Sequence, residues 1–519
     1  MLSESQHVYN TAMNDPSRLS HRISILRLEY PFLEQLDKRF PSGEVYLVGG
    51  AVRDILVDKE TKDYDFLVRG ISAALLGPFL SQHGKVNLVG KTFGVYKFVP
   101  NNRREMNEEA LDIALPRTEE SFAKQGGYRD FTVQSNPDLP IEEDLKRRDF
   151  TINAIAVNMK TGLIVDPFDG ASDLASGQIK AVGEATTRFA EDYSRLLRGL
   201  RLACQFHFQF DDKTWEAILS LIGQINAKRE DGSYIVPRET VAKEFIKSLV
   251  CDPVRTLDLW DESGAFSALI PELLTMKGCP QPPQYHSEGD VWMHTRLALS
   301  TMVSERFQEE FQSTYDAELA LAVLLHDVAK PATLKTPERD GVDRIRFDNH
   351  APVGGQMADK IVQRMKLSTL PKGSRYHING EALVWLIDKH LLLVQGEVDK
   401  MRASTIEKHF LNPKVPGQKL LQLIFCDGSA TLPASGAPQL VSYKKVRERI
   451  KQIDAVTVKK GELFCPPLLS GREVMHFLGI PAGPEVGRLL ALLREEQLSV
   501  RIGTHEEAIL FLKQQRAFS

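Results

Sequence analysis

Residues 45–68 read VYLVGGAVRDILVDKETKDYDFLV. A short apolar run, Val45 to Val48, meets the pair Gly49-Gly50; a polar helix start follows, and a second run closes on Phe66, Leu67 and Val68. Side chains alternate along a strand, so Asp63 and Asp65 project from one face of that second run. Two adjacent carboxylates repel unless a cation lies between them. A magnesium-type ion suits the pair, because it takes carboxylate oxygen and leaves room for phosphate. Glycine lets the backbone approach a ligand closely, and the N–H groups of a helix start receive an anion. Together these features suit a nucleoside triphosphate with its metal. Taken alone, the same letters also describe a surface turn and a strand with two solvated aspartates, so the rest of the chain must decide.

The chain has 519 residues, too many for one core; at about 150 residues per domain it divides into three or four. Apolar residues make up 42% and charged residues 26%, the balance of a soluble globular protein. No apolar run is long enough to cross a bilayer, and the stretch MLSESQHVYNTAMNDPSRLSHR has no hydrophobic signal core. A cytoplasmic protein without a membrane partner is therefore expected. Cys204, Cys251, Cys279, Cys426 and Cys465 are scattered without CxxC pairs, which argues against a zinc ribbon or a disulfide framework and fits a reducing compartment. The net charge of −4 gives no global attraction to nucleic acid. Local basic patches remain, at 146–148, at Arg195, Arg198 and Arg201, and at 444–451, each of which also reads as a solvated helix face.

From Glu44 to about Pro167, short β-type runs alternate with helical stretches; from Ala190 onward helical periodicity dominates. The fold class is α+β: an N-terminal α/β head on a small mixed sheet, followed by an all-helical remainder. In LDIALPRTE, Asp112 leads and Arg117 closes, and a third carboxylate on a neighbouring strand could complete a two-metal cage. DLKRRDFTINAIA (144–156) reads as a helix with Asp149 and Asn153 four apart on one face beside Arg148, offering sugar-hydroxyl and phosphate contacts. EDYSRLLRGLRLACQF (191–206) reads as a strong helix with Asp192 and Arg195 three apart. An acceptor-only carboxylate beside a donor-only guanidinium could read the edge of a base, and the same spacing also describes an ordinary helix salt bridge.

Together, LVGGAVRD, KDYDFLV, LPRTE, DLKRRDFTINAIA, DPFDGASDL and EDYSRLLRGLRLA stand in the order and spacing of class II tRNA nucleotidyltransferases, the CCA-adding enzymes and bacterial poly(A) polymerases. The chain resembles that family over about residues 44–275. The resemblance implies a polymerase β-like nucleotidyltransferase head in which Asp63 and Asp65 bind catalytic Mg2+ and Asp112 is the third catalytic carboxylate, near the attacking 3′-hydroxyl. It implies triphosphate contacts from Gly49, Gly50 and Arg53, and sugar and phosphate contacts from Arg148, Asp149 and Asn153. Asp192 and Arg195 would form the amino-acid template that selects CTP and then ATP, with Arg117, Arg198 and Arg201 completing the nucleotide-binding set. The implied partners are CTP, ATP and the tRNA 3′ end.

Further on stand VWMHT (His294), LAVLLHDVAKP (His326, Asp327), FDNHAPVGG (His350), LIDKH (His390) and IFCDGSA (Asp427). Histidines and carboxylates from several helices can build a metal site inside a bundle. His294, then His326-Asp327, then Asp427 resembles the H…HD…D quartet of HD-superfamily phosphohydrolases, with His350 and His390 where some members carry additional ligands. This resemblance implies a divalent transition metal of unspecified identity and a phosphatase, phosphodiesterase or 2′,3′-cyclic phosphodiesterase activity. It favours the CCA-adding branch, because poly(A) polymerases of the class usually lack this domain.

The C-terminal stretch LLSGREVMHFLGIPAGPEVGRLLALL resembles the helical element of CCA- and poly(A)-adding relatives. With Lys444, Lys445, Arg447 and Arg449 just before it, it reads as an RNA-binding arm. The expected organisation is an N-terminal extension (1–35), the head (36–167), a helical neck and body (168–280), an HD phosphohydrolase domain (281–430) and the arm (431–519). The expected function is untemplated addition of CMP, CMP and AMP to tRNA. A poly(A) polymerase, or an enzyme adding only CC or only A, is the alternative of the same class. An HD phosphohydrolase with an RNA-binding head is the alternative of another class.

Overall fold

A computed structural model describes residues 16–61, 63–89, 95–103, 110–121, 131–395, 398–434, 436–458, 466–499 and 501–517. The start of the expected extension and Cys465 lie outside the described residues. The chain divides into two compact units, Met1–Leu269 and Ile270–Ser519.

In the first unit α1 (Pro16–Glu29) and α2 (Phe32–Arg39) precede β1 (Glu44–Val48), α3 (Gly50–Leu56) and β2 (Asp65–Arg69). Then come α4 (Ala73–His83), β3 (Gly84–Val89), β4 (Val95–Pro100) and β5 (Leu111–Ala114). The hairpin β6 (Arg117–Ser121) and β7 (Phe131–Ser135), α5 (Ile141–Lys146), β8 (Ala156–Asn158) and β9 (Ile164–Val165) complete the head. Seven strands form one sheet in the order β3-β4-β5-β2-β1-β8-β9. β1 is buried on both faces, as a central strand requires, and it pairs antiparallel with β2 and β8. β2 pairs parallel with β5, and the register sets Asp65 directly opposite Asp112.

Alternation sorts the strand residues between two cores. Leu47, Phe66, Val68, Phe98 and Ile113 pack on one face; Tyr46, Val48 and Leu67 pack on the other with Ile141 and Leu145 of α5. Asp65 is two residues from Leu67 and Asp112 two from Ala114, so both share the α5 side of the sheet. Leu19, Ile23 and Leu26 of α1 and Leu33 and Leu36 of α2, spaced three and four apart, join the first core. The stretch read as a polar extension is thus part of the head from α1 onward. Aromatic rings close this face, with Phe32 edge-on to Phe98 at 4.9 Å. Burying such a ring contributes about 1.5–3 kcal/mol.

Beyond the sheet, α6 (Ala185–Glu191) leads to α7 (Ser194–Phe206), which buries Leu196, Leu197, Leu200 and Ala203 and packs on α8 (Arg238–Cys251) and α9 (Pro253–Glu262).

The second unit contains α10 (Val291–Met302), α11 (Ala317–Leu325), α12 (His350–Met365), α13 (Gly380–Lys389) and α14 (Gly417–Ala430). α11, AELALAVLL, is buried at every residue, the mark of a central helix. α10 and α14 pack together, as do α12 and α13. After α15 (Val441–Val458), the helices α16 (Gly471–Leu478), α17 (Pro484–Leu498) and α18 (His505–Ala517) share a separate small core around Val474, Leu489, Leu493 and Leu512. Among the described residues no helix is long and apolar enough to cross a membrane.

Candidate functional site

The first site lies on the sheet face beside α5. β2 begins at Asp65, and Asp63 is exposed in the segment just ahead of it, so the two aspartates expected on one strand straddle its start. Burial and the neighbouring Asp63 charge push the Asp65 carboxyl up to about 6, with Arg148 and Lys97 opposing and Asp112 adding to the rise. A cluster that resists ionisation fits a divalent cation, which would remove that repulsion. Lys97 of β4 lies opposite Asp112 in the register, and its Nζ is 2.5 Å from Asp112 Oδ1. The sequence reading missed this lysine; cross-strand alternation from Tyr96 and Phe98 was the signal for its side.

Gly49 adopts φ 72, a left-handed conformation that favours glycine, and a Cβ there would stand 2.6 Å from the Arg148 guanidinium. The turn from β1 into α3 thereby lets Arg148 lie against the backbone. Arg148 donates to the Asn153 carbonyl at 3.3 Å, and burial pushes its pKa down. From α3, Arg53 donates to Asn153 Oδ1 at 2.5 Å, and Asn153 Nδ2 donates to Asp149 Oδ1 at 3.1 Å. Arg198 of α7 pairs with Asp149 Oδ2 at 2.6 Å. Burial opposes the Asp149 charge, yet the carboxyl is held low by Arg198 and its hydrogen bonds.

Asp149 and Asn153 therefore meet, though not on the expected helix. α5 ends at Lys146, and residues 151–153 form a 3-10 turn. The backbone instead bonds sideways: Val182 N–H to the Asp149 carbonyl at 3.1 Å and Thr151 N–H to the Lys180 carbonyl at 2.9 Å. Phe150 is buried beside Phe189, and these bonds outweigh helix propensity in the stretch.

Asp192 and Arg195 also differ from expectation. The helix read from 191 is broken at Asp192, which is extended, and α7 starts at Ser194. Asp192 accepts from the Ser194 N–H at 2.9 Å, while burial raises its pKa. Arg195 pairs with Glu191 at 2.7 Å and donates to the Arg188 and Arg147 carbonyls. Its guanidinium is thus held by Glu191 instead of Asp192. Arg201 pairs with Glu244 of α8 at 2.5 Å, which ties two helices together. Arg117 opens β6, where its N–H donates to Asp144 Oδ1 at 3.3 Å.

The second site is buried in the other unit. His294, His326, Asp327, His350 and His390 are all under one-tenth exposed. His294 Nε2 is 3.1 Å from Asp427 Oδ1 and 3.7 Å from Asp327 Oδ2; His326 Nε2 is 3.2 Å from Asp327 Oδ2. On the other side of the same carboxylate, His350 Nε2 and His390 Nε2 are 3.4 and 3.8 Å from Asp327 Oδ1. Asp327 thus belongs to two groups of three potential metal ligands, with His294 and His326 and with His350 and His390. The Nδ1 atoms of His326, His350 and His390 bond the carbonyls of Val323, Phe347 and Ile387 at 2.8, 2.8 and 2.6 Å. That leaves each Nε2 facing inward, and all three are buried without a hydrogen bond. Neutral imidazole with Nδ1 so occupied is the form that ligates metal, so the set fits a divalent ion.

The electrostatics set the histidines apart, and His294 would give up a proton on binding a metal. Burial opposes charge at His294, but bonds to Asp427 and Glu288 raise it to about 9; burial and the His326 charge lower His390 to about 4. Asp327 and Asp427 are held low despite burial, Asp327 by the charges of His326 and Lys330, Asp427 by bonds and charges of His294 and His326. Lys330 Nζ is 2.6 Å from Asp327.

The basic run at 444–451 divides by direction. Lys445 pairs with Asp399, Arg447 with Glu310 at 2.9 Å, and Arg449 donates to the Val398 carbonyl at 2.5 Å. Lys444 and Lys451 instead line a cleft of about 430 Å³ with Arg306, Tyr443 and Arg447.

Comparison with known proteins bears on the head. Residues 45–180 match the model of the Poly A polymerase head domain. The multifunctional CCA protein of Neisseria meningitidis serogroup A is 36% identical over 329 residues, covering 62% of this chain and 68% of that protein. That of Nitrosococcus oceani is 36% identical over 291 residues, 56% of this chain and 64% of its own length, just under two thirds. Among solved structures, the Bacillus stearothermophilus CCA-adding enzyme in complex with CTP matches with a TM-score of 0.58 at 21% identity over 94% of this chain and 97% of that one. The Thermotoga maritima CCA-adding enzyme complexed with tRNA matches at 0.56 and 18% identity, over 98% and 97%. At those identities the structures speak for the fold alone.

Proposed function

The chain belongs to the family of multifunctional CCA proteins, and we propose that its head adds CMP, CMP and AMP to the tRNA 3′ end without a nucleic-acid template. The observation that carries the proposal is the in-register pair Asp65 and Asp112 on adjacent strands, with Asp63 at the strand entrance and Arg148 behind. In the reaction the RNA 3′-oxygen bonds the α-phosphorus of CTP or ATP, and the bond to the β-phosphate breaks to release pyrophosphate. Divalent ions, Mg2+ by preference, would polarise the attacking hydroxyl and offset charge on the leaving pyrophosphate, held by Asp63 and Asp65. Asp112, opposite Asp65 in the register, would serve as the third carboxylate, near the attacking 3′-hydroxyl. Gly49, Gly50, Arg53 and Arg148 offer backbone and guanidinium contacts to phosphate, and the Asn153–Asp149–Arg198 chain fixes a wall for the sugar. Asp192 and Arg195 select the base in this reading, which requires Arg195 to leave Glu191 when a nucleotide enters. The finer division of the chain at 36–167, 168–280, 281–430 and 431–519, and a cytoplasmic setting, belong to the same proposal.

The test supplies tRNA ending before CCA, before the terminal A, or complete, with CTP and ATP singly and together. Products that stop at CCA support the reading. Long oligo(A) points to a poly(A) polymerase, and products stopping after CC, or extended only by A, point to a partial enzyme.

A second activity is favoured by the buried Nε2 atoms of His326, His350 and His390 around Asp327. With His294 and Asp427 these residues would hold a divalent transition metal, which supplies an activated water for phosphoester hydrolysis. Metal-dependent opening of a 2′,3′-cyclic nucleotide to its phosphomonoester by wild type but not by Asp327→Ala supports it; equal rates remove it.

A further inference from the structure

The four histidines around Asp327 are not oriented alike. Three anchor Nδ1 on a backbone carbonyl three residues upstream. His294 stands in the first turn of α10, and its Nδ1 bonds the side chain of Glu288 at 2.9 Å. Glu288 is itself nearly fully buried and has two further partners: His286 Nδ1 at 2.7 Å on Oε1 and the Leu432 N–H at 3.0 Å on Oε2. Leu432 lies just past the end of α14, the helix that carries Asp427. Ser287 bonds the Leu432 carbonyl from its N–H at 2.7 Å and its hydroxyl at 2.9 Å. One buried carboxylate therefore joins the start of α10 to the end of α14.

Resting on the metal-site reading above, we propose that Glu288 is a positioning residue for that site: it fixes the His294 ring with Nε2 inward and holds His294 in register with Asp427. A ring that donates Nδ1–H to a carboxylate is a stronger ligand than one bonded to a carbonyl, and such outer partners are worth about 10–100-fold in metal affinity. All three groups meeting Glu288 present N–H donors. Glutamine would bring an NH2 into that arrangement and strand one of them, although its shape is the same.

The full chain, carrying Asp65→Ala throughout so that the head cluster is disabled, is stripped with EDTA and titrated with Mn2+ with residues 287 and 288 wild type, as Glu288→Gln and as Ser287→Ala, with thermal melting in EDTA as the measure of folding. The expected result is a 10–100-fold weaker Mn2+ affinity for Glu288→Gln in a chain that still melts cooperatively in EDTA, at a somewhat lower temperature for the stranded donor, and wild-type affinity for Ser287→Ala. Wild-type affinity in Glu288→Gln overturns the assignment, and so does an equal loss in Ser287→Ala, which would make the loop and not the carboxylate responsible. If Glu288→Gln does not fold, Glu288→Asp withdraws the carboxylate by one methylene and must weaken Mn2+ binding; wild-type affinity there overturns the assignment. A chain with residues 287 and 288 wild type that binds no Mn2+ removes the metal site itself, a failure distinct from the others.

Discussion

The two acidic centres of this chain solve the same electrostatic problem in opposite ways. In the head, Asp63, Asp65 and Asp112 gather on a sheet face with an exposed member and a partly exposed lysine as partner. In the second unit, Asp327 is enclosed by imidazoles whose outer nitrogens are already committed. An open carboxylate edge suits ions that arrive and leave with a nucleotide; a buried nitrogen cage suits one that stays. The difference is one of residence, and it can be attacked from either side.

The largest effect belongs to the head. Asp65→Ala should reduce nucleotide incorporation by on the order of 10³-fold or more, the scale of losing preorganised stabilisation of transferring phosphate. Gel-resolved extension of tRNA measures it, and Asp65→Ala with wild-type incorporation breaks the comparison at its root. Next, overnight dialysis against EDTA followed by assay in fresh Mg2+ should return nucleotide addition fully, while cyclic-phosphate hydrolysis stays lost until a transition metal is added. Equal recovery of both would contradict the contrast in residence.

The pH dependence sharpens it further. The Asp65 carboxyl sits near 6, so protons compete with Mg2+ below that value, and apparent Mg2+ affinity at the head should fall about tenfold for each pH unit under 6. The folded value exceeds the ordinary 3.8, so in metal-free protein this group's contribution to stability is present below about pH 4 and is lost as pH rises through 6. Added Mg2+ should offset that loss in thermal melts. A flat Mg2+ affinity between pH 5 and 7 would count against the cluster. The smallest effect is at Lys97: Lys97→Met removes a competing cation from a half-exposed pair and should tighten Mg2+ binding by a factor of about two to five. Isothermal titration would detect it, and weaker binding would assign Lys97 a different part.

What the sequence made legible was local or ordered. The apolar run, the glycine pair and the run Phe66 to Val68 foretold β1, the turn and β2, although Asp63 falls ahead of the strand, and the histidines and aspartates of five separate segments did converge. What stayed hidden depended on partners far along the chain. Nothing in periodicity couples Arg201 to Glu244 or Arg447 to Glu310. The RRDF stretch lost its helix to bonds with residues 180–182, and Glu288 gained its meaning only from Leu432. The basic run likewise read as one surface, although three of its cations are committed to protein partners.

The turn at Gly49 carries a consequence for heredity. Residue 49 contributes no side chain to chemistry, yet a single methyl there meets a buried guanidinium at 2.6 Å in a backbone conformation hostile to it. In a saturation-mutagenesis selection for growth, position 49 should score with Asp65 among the intolerant sites, and a geneticist ranking alleles by severity would place a silent hinge beside the reactive carboxylate it serves.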